Sequence, residues 1–351
     1  MALGGGVWVT QNKVLPGSYI NFVNASTATA ALGERGVVAI PYALNKSVGT
    51  VIEVTKIDFF ANAQTLLGFE YTSESAKPFR EIFAHANKCI VYDIGSDGTV
   101  KSASEAVAAL EPYEFNVLAV YTSTASDIAT YVAAIKTWRD AGKKCQGVIY
   151  KANDTPKSDH EGIIDVVSTV SDSGVAAHAL VAWVAGAEAG CAINKSCTNM
   201  VYDGEYTIVC NHTQAQLEAC IENGEFAFHL VYGDVRVLED INSLTTTTAD
   251  KGEDFKSNQT IRIIDQIAND IAKLFNTKYL GNIPNNASGR VSLWGDIVAH
   301  HKELETLQAI ENFDSSLVTV EQGVNKKSVV VHDAVQVVNA MAILYMTVVV
   351  Q

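Results

Sequence analysis

The stretch YDIGSDGTVK, Tyr92 to Lys101, sets Asp93 and Asp97 beside Gly95 and Gly98 directly after an apolar run. Carboxylates next to a flexible glycine loop would suit a phosphate-binding turn. That chemistry also calls for a second, related loop and an adenosine-binding segment, and the sequence offers neither. A strand-to-helix turn built from Asx and glycine is the simpler reading. No Gly-x-Gly-x-x-Gly follows a strand, Gly-x-x-x-x-Gly-Lys-Ser/Thr is absent, and the triple glycine Gly4–Gly6 has no strand before it. Gly-x-Ser-x-Gly, the turn that would carry a nucleophilic serine, is missing as well.

Eight histidines fall at 85, 160, 178, 212, 229, 300, 301 and 332. His300 and His301 are neighbours on an expected helix, so their side chains diverge by about 100°, poor geometry for one metal ion. The run SDHEG, Ser158 to Gly162, could pair Asp159 with His160, but Ser158-x-x-Glu161 also reads as a capping box or turn of surface polar residues. The six cysteines (Cys89, Cys145, Cys191, Cys197, Cys210 and Cys220) form no Cys-x-x-Cys pair, which argues against zinc and thioredoxin-type sites. Buried free thiols in a reducing cytoplasm are expected instead. No residue is assigned a catalytic, cofactor-binding or metal-binding role.

The elements that would position these residues alternate regularly from Cys89 onward. CIVYDIG is a strand; SASEAVAALE is a helix opened by the capping box Ser102-x-x-Glu105. NVLAVYTS, SDIATYVAAIKTWRDAG and QGVIYKAN then read as strand, helix and strand, the helix closed by Gly142. This spacing argues for parallel pairing with right-handed crossovers. GIIDVVSTV continues as a strand, AHALVAWVAGAEAG and TQAQLEACIENG as helices, and FAFHLVYGDVRVLEDI as a hairpin. Before Cys89, residues 34–88 read as a small mixed unit, with strands in GVVAIPYAL and TVIEVT and a helix in AKPFREIFAHA. The polar stretch SLTTTTADKGEDFKSNQ is the best linker candidate. Beyond it an amphipathic helix carries Ile264, Ile267 and Ile271, read as core, and a second helix covers LWGDIVAHHKELETLQAI before two or three closing strands.

With 351 residues, 48% hydrophobic and 18% charged, the chain is an ordinary globular protein of two or three domains. Its net charge of −14 and lack of any basic run exclude direct nucleic-acid binding. Both ends are poor in charge. Lys13 is the only charged residue before Glu34, and the final eighteen residues, AVQVVNAMAILYMTVVVQ, carry none. Eight of those eighteen are β-branched, so the segment favours an extended strand. Gln336 and Asn339 interrupt it, and a membrane anchor is not expected. A strand without a partner is an aggregation hazard, so both ends call for pairing elsewhere.

Four stretches carry a family resemblance: GGGVWVTQNKVLPGSYINF; AWVAGAEAGCAINKSCTNMVYDG; DFKSNQTIRIIDQIANDIAKLFNTKYLGNIPNNASGRVSLWGDIVAHHKEL; and VVVHDAVQVVNAMAILYMTVVV. Together they resemble the tail sheath proteins of contractile phages and phage tail-like bacteriocins, in the subfamily of Gram-positive prophage elements. The resemblance implies an α/β multidomain body. Its parts would be an N-terminal arm (1–33), a small β-rich domain (34–88), a central α/β domain of subtilisin-like topology without proteolysis (89–242), a C-terminal α/β domain (243–328) and a C-terminal strand (329–351). It implies a structural protein and no cofactor. The partners would be further copies of the chain in a helical polymer, an inner tail tube, a baseplate and a tail terminator. The protein would be made in the bacterial cytoplasm and assembled into a tail particle. The arm residues expected to link subunits by strand addition are Lys13, Val14, Tyr19, Ile20 and Phe22 at one end. At the other they are Val335, Val337, Leu344, Tyr345, Met346, Val348 and Val350. The rival reading is a nucleotide-dependent α/β enzyme that uses its terminal strands merely to oligomerise.

Overall fold

Alternate residues of the first strand, β1 (Val37–Tyr42), enter two different cores: Val38 and Ile40 one, Ala39 the other. The same division runs through the parallel strands beside it, because side chains alternate across a pleated sheet. A computed structural model describes residues 32–350 apart from 97, 99, 153 and 154. After β1 come β2 (Val51–Thr55), α1 (Lys56–Leu67), α2 (Lys77–His85), β3 (Lys88–Asp93), α3 (Ala103–Leu110), β4 (Val117–Ala119) and α4 (Ala125–Asp140). β5 (Gln146–Tyr150), β6 (Ile163–Val166), α5 (Leu180–Gly190), α6 (Gln214–Glu222) and β7 (Glu225–Phe226) complete the body.

The sheet runs β2-β3-β1-β4-β5-β6-β7, with β2 antiparallel to β3 and every other pairing parallel. One face is covered by α1, α2 and α5 through Phe59, Phe79, Phe83 and Trp183; the other by α3 and α4 through Leu110, Ile135 and Trp138. The expected alternation from Cys89 therefore holds, including the Ser102–Glu105 capping box. The expected separate unit at 34–88 does not. β1 sits between β3 and β4 in the main sheet, so 34–88 is the start of the central body rather than a domain of its own. An apolar run shows that a strand exists but not which strand it pairs with. Helix α1 was not foreseen, although Thr55 caps it by accepting from the Asp58 backbone N–H.

The small residues of α5 have a packing role. A Cβ on Gly186 would lie 2.5 Å from the Ile82 carbonyl oxygen, and one on Gly190 would lie 2.2 Å from that of His85. Backbone-to-backbone approach of α5 to α2 is what these glycines permit.

β8 (Phe228–Val231) and β9 (Asp234–Val237) form a hairpin, turned through Tyr232 and Gly233 at positive φ, that packs Phe228 and Val237 into the core of the body. The remainder is a smaller unit. α7 (Asn258–Leu274) and α8 (Ala287–Thr306) follow, then β10 (Ile310–Glu311), β11 (Thr319–Gln322), β12 (Val329–His332) and β13 (Gln336–Val337). β11 pairs with β12 and β10 with β13, each as an antiparallel two-stranded sheet. Of the expected α7 core face, Ile267 and Ile271 pack beside separate apolar clusters, while Ile264 is half-buried. No helix among the described residues is long and apolar enough to cross a membrane.

Gly186→Ala is expected to lower stability by about 1–3 kcal/mol through overpacking against the α2 backbone. Gly252→Ala, where an added Cβ meets nothing within 4 Å, is the control expected to change little. Urea denaturation of both variants checks the difference.

Candidate functional site: an anchored and then exposed C-terminal strand

The residues singled out for chemistry are committed to the fold. Asp93 Oδ1 accepts from the backbone N–H groups of Leu44, Asn45 and Gly95 at 3.0–3.1 Å, and its Oδ2 from Lys46 and Ser47 at 2.9 and 2.8 Å. Burial opposes its charge, but these donors hold the carboxyl below the usual range. It is the hub of a turn. Asp159 and His160 do not pair: Asp159 accepts from the Thr245 and Thr246 backbones, and His160 Nδ1 accepts from Gly162. Burial lowers His160 to about 4, which leaves its ring neutral at pH 7. Asp159 thus ties down the Thr-rich linker.

The sheet body meets the C-terminal unit along α7, and buried ion pairs lie within that contact. Arg139 on α4 forks onto Asp265 at 2.5 and 2.9 Å. Arg262, fully buried, donates to Glu188 Oε2 at 2.6 Å, Asp240 Oδ2 at 3.2 Å and the Lys195 carbonyl at 2.8 Å. Burial works against the Arg262 charge, and the two carboxylates more than offset it. Burial, with Asp240 next to it, pushes the Glu188 carboxyl well above its usual range. Glu188, Cys197 and Asp240 gather donor atoms within 4.8 Å of one another, a set that would suit a metal ion. The Arg262 guanidinium lies against both carboxylates and already supplies the cation, so the cluster is read as structural.

Beyond β12 the chain is anchored in steps. Glu311 and Gln336 face each other, as do Ile310 and Val337, and the Val338 N–H donates to the Ala309 carbonyl at 3.0 Å. Gln259, at the start of α7, then holds the strand with both ends of its amide. Its Nε2 donates to the Val338 carbonyl at 3.1 Å and its Oε1 accepts from the Ala340 N–H at 3.0 Å. A single side chain thus plays the part of a neighbouring strand for one step.

After Ala340 the anchorage stops. Met341, Leu344, Tyr345 and Val350 are 102%, 83%, 90% and 91% exposed. Residues 341–350 carry no regular structure on their own chain. Ten residues extended reach about 33 Å.

The expected arm residues accordingly separate. Val335 and Val337 pack beside Ile263, Leu304 and Ile310, so they anchor the strand on its own chain rather than leaving it. The segment expected from 329 onward begins inside the fold, since β12 is half of a hairpin. Leu344, Tyr345, Met346, Val348 and Val350 stand exposed in the segment that follows Ala340. Lys13, Val14, Tyr19, Ile20 and Phe22 lie outside the described residues. Gln259 and Arg262 were not foreseen. Inside an amphipathic helix, a polar residue that reaches across to another element has the same sequence signature as one facing water.

Residues 98–243 match the family model described as phage tail sheath protein central domain, and residues 250–351 the one described as phage tail sheath C-terminal domain. The chain is 32% identical over 256 residues to the phage-like element PBSX protein XkdK of Bacillus subtilis, covering 69% of this chain and 54% of that protein. It spans a little over half the length of the curated Bacillus subtilis relatives it matches. In structure it is similar to a sheath tail protein from Desulfitobacterium hafniense, with a TM-score of 0.76, 25% identity, and 92% of this chain and 100% of that one covered. The anti-feeding prophage helical sheath in its contracted state shares the fold, with a TM-score of 0.71, 15% identity, and 96% and 99% of the two chains covered.

Arg262→Ala is expected to cost about 3–5 kcal/mol, because Glu188 and Asp240 are left buried without their cation. The loss should shrink as pH falls, since the abandoned carboxylates can take up protons there. Chemical denaturation at two pH values measures both effects.

Proposed function

The chain belongs to the phage tail sheath family, and on that premise we propose that it is a structural subunit of a contractile tail sheath. Its copies polymerise helically around an inner tube by donating terminal strands to neighbouring copies, and they contract by rigid-body rearrangement that drives the tube through a cell envelope. The observation that carries this reading is the exposed run Met341–Val350, apolar and β-branched, which continues from a strand its own chain has fastened as far as Ala340.

The acceptors are the two small sheets of the C-terminal unit. Each has only two strands, which is marginal alone, and Val330 and Val331 of β12 are 41% and 37% exposed. A donated strand adds main-chain hydrogen bonds without requiring a particular side chain. Head-to-tail donation does not close on itself, so it propagates a helix. We assign the N-terminal arm (1–33), with Lys13, Val14, Tyr19, Ile20 and Phe22, the matching role at the other end. The finer architecture belongs to the same proposal: a central domain of subtilisin-like topology to 242, a C-terminal domain over 243–328, and a strand segment over 329–351 that is free only after Ala340. Inner tube, baseplate and tail terminator are the further partners, and the tail particle is the place of assembly. In this scheme contraction draws on the packing of a trapped extended lattice and requires no nucleotide.

Truncation after Ala340 is expected to abolish assembly while shifting stability by no more than about 0.5 kcal/mol, because the removed side chains are largely exposed on their own chain. Negative-stain electron microscopy, with and without inner tube protein as template, and thermal denaturation read the two halves. Wide-bore tubes from the full chain and discrete particles from the truncated one support the proposal. Tubes from the truncated chain, or none from the full chain even with the template, overturn it.

A further inference from the structure

His300 and His301 sit side by side on α8, both with no solvent exposure, and each faces a carboxylate from a different part of the chain. His300 Nε2 lies 3.0 Å from Asp270 Oδ2 on α7, and His301 Nε2 lies 2.6 Å from Asp333 Oδ2, between β12 and β13. The two rings touch through their Nδ1 atoms at 3.2 Å. Residues whose side chains diverge on a helix thus meet at their inner nitrogens and form a continuous chain, Asp270–His300–His301–Asp333.

That chain has a proton requirement. Three contacts between nitrogen or oxygen atoms need three hydrogens. Two neutral imidazoles and two carboxylates hold two. With only two, one contact must set lone pair against lone pair inside the protein, where an unmade hydrogen bond is costly. We propose that Asp270, His300, His301 and Asp333 form a one-proton latch that fastens the base of the C-terminal strand when the third hydrogen is bound and loosens it when that hydrogen is lost.

The loosening has a direction. Asp270 is held from several sides, since its Oδ1 also accepts from the Gly33 N–H at 3.0 Å and both its oxygens accept from Gln266. Asp333 has a side chain 26% exposed and, among the described residues, His301 as its hydrogen-bond partner. Asp333 is therefore the end that lets go to water, and β13 begins three residues later. The other charged groups nearby do not supply the missing hydrogen. Arg35 donates to Gln266 and to the Glu188 carbonyl, each at 3.4 Å, and Glu305 accepts from the Phe313 N–H at 3.0 Å while the Phe313 ring packs on His301. Among the described residues no Lys or Arg pairs with Asp270 or Asp333. The fastened state binds one proton more than the loose state, so fastening is strongest at low pH. It weakens by up to about tenfold per pH unit once that proton is released.

The test is amide hydrogen exchange of the full chain between about pH 5.5 and 8.5, the span in which histidines exchange their proton, corrected for intrinsic rates. Protection of Val338 and Ala340, whose N–H groups donate to Ala309 and Gln259, is expected to fall with rising pH by tenfold or more relative to amides in the main sheet. Asp333→Asn should abolish that slope, because its amide N–H donates to His301 Nε2 and supplies the third hydrogen without an ionisation. Should that variant not fold, His301→Gln, whose amide brings two hydrogens to the chain without an ionisation, gives the same comparison. A flat profile in the unmodified chain overturns the latch, as does an unchanged slope in the variant. The readout is the fastening of the strand on its own chain, so it stands or falls separately from strand donation between copies.

Discussion

The buried guanidinium of Arg262 is the contact on which the arrangement of the two units depends. It projects from α7 into the sheet body, where Glu188 on the glycine-rich helix α5 and Asp240 after the β8–β9 hairpin receive it. An ion placed there is costly unless every partner is present, so the seat accepts one position of α7 and penalises sliding or rotation. Everything that presents the C-terminal strand follows from that position. The same helix carries Asp265 to Arg139, Gln259 to the strand backbone and Asp270 to His300.

The C-terminal segment shows how a protein sets the boundary between what belongs to itself and what it offers. Up to Ala340 the main-chain groups are answered, first by β10, then by Gln259. Past Ala340 the side chains are as apolar as before, but they stand largely exposed on their own chain. The change lies in the available partners rather than in the composition of the segment. An extended apolar run of this kind is a liability for an isolated molecule and a connector for one that assembles with copies of itself.

Much of the body was legible in the sequence because its signals are local. The strands and helices from Cys89 onward, the Ser102–Glu105 capping box and the hairpin at Phe228–Val237 all depend on spacing within a dozen residues. The Thr-rich stretch after Asn242 was legible too, as irregular polar chain, though not that Asp159 would clamp it. What was missed was long-range. β1 lies 51 residues before β3 in register (Val37 faces Lys88) and beside β4 on its other edge, and no local pattern encodes that order. Val335 and Val337 look the same in sequence as Val348 and Val350. The first two are half-buried by residues some 25 to 70 positions away, and the last two are exposed.

The amino-acid sequence by itself determined most of the strands and helices of the body, that Asp93 would sit in a turn, and that both ends are poor in charge. These follow from side-chain shape, periodicity and capping, which act between near neighbours. Only the tertiary structure decided that 34–88 joins the main sheet, that the C-terminal strand is fastened as far as Ala340, and that two divergent histidines meet between two carboxylates. Those outcomes rest on contacts between residues far apart in the chain, whose energies depend on distance, burial and the count of available hydrogens once the backbone has brought them together.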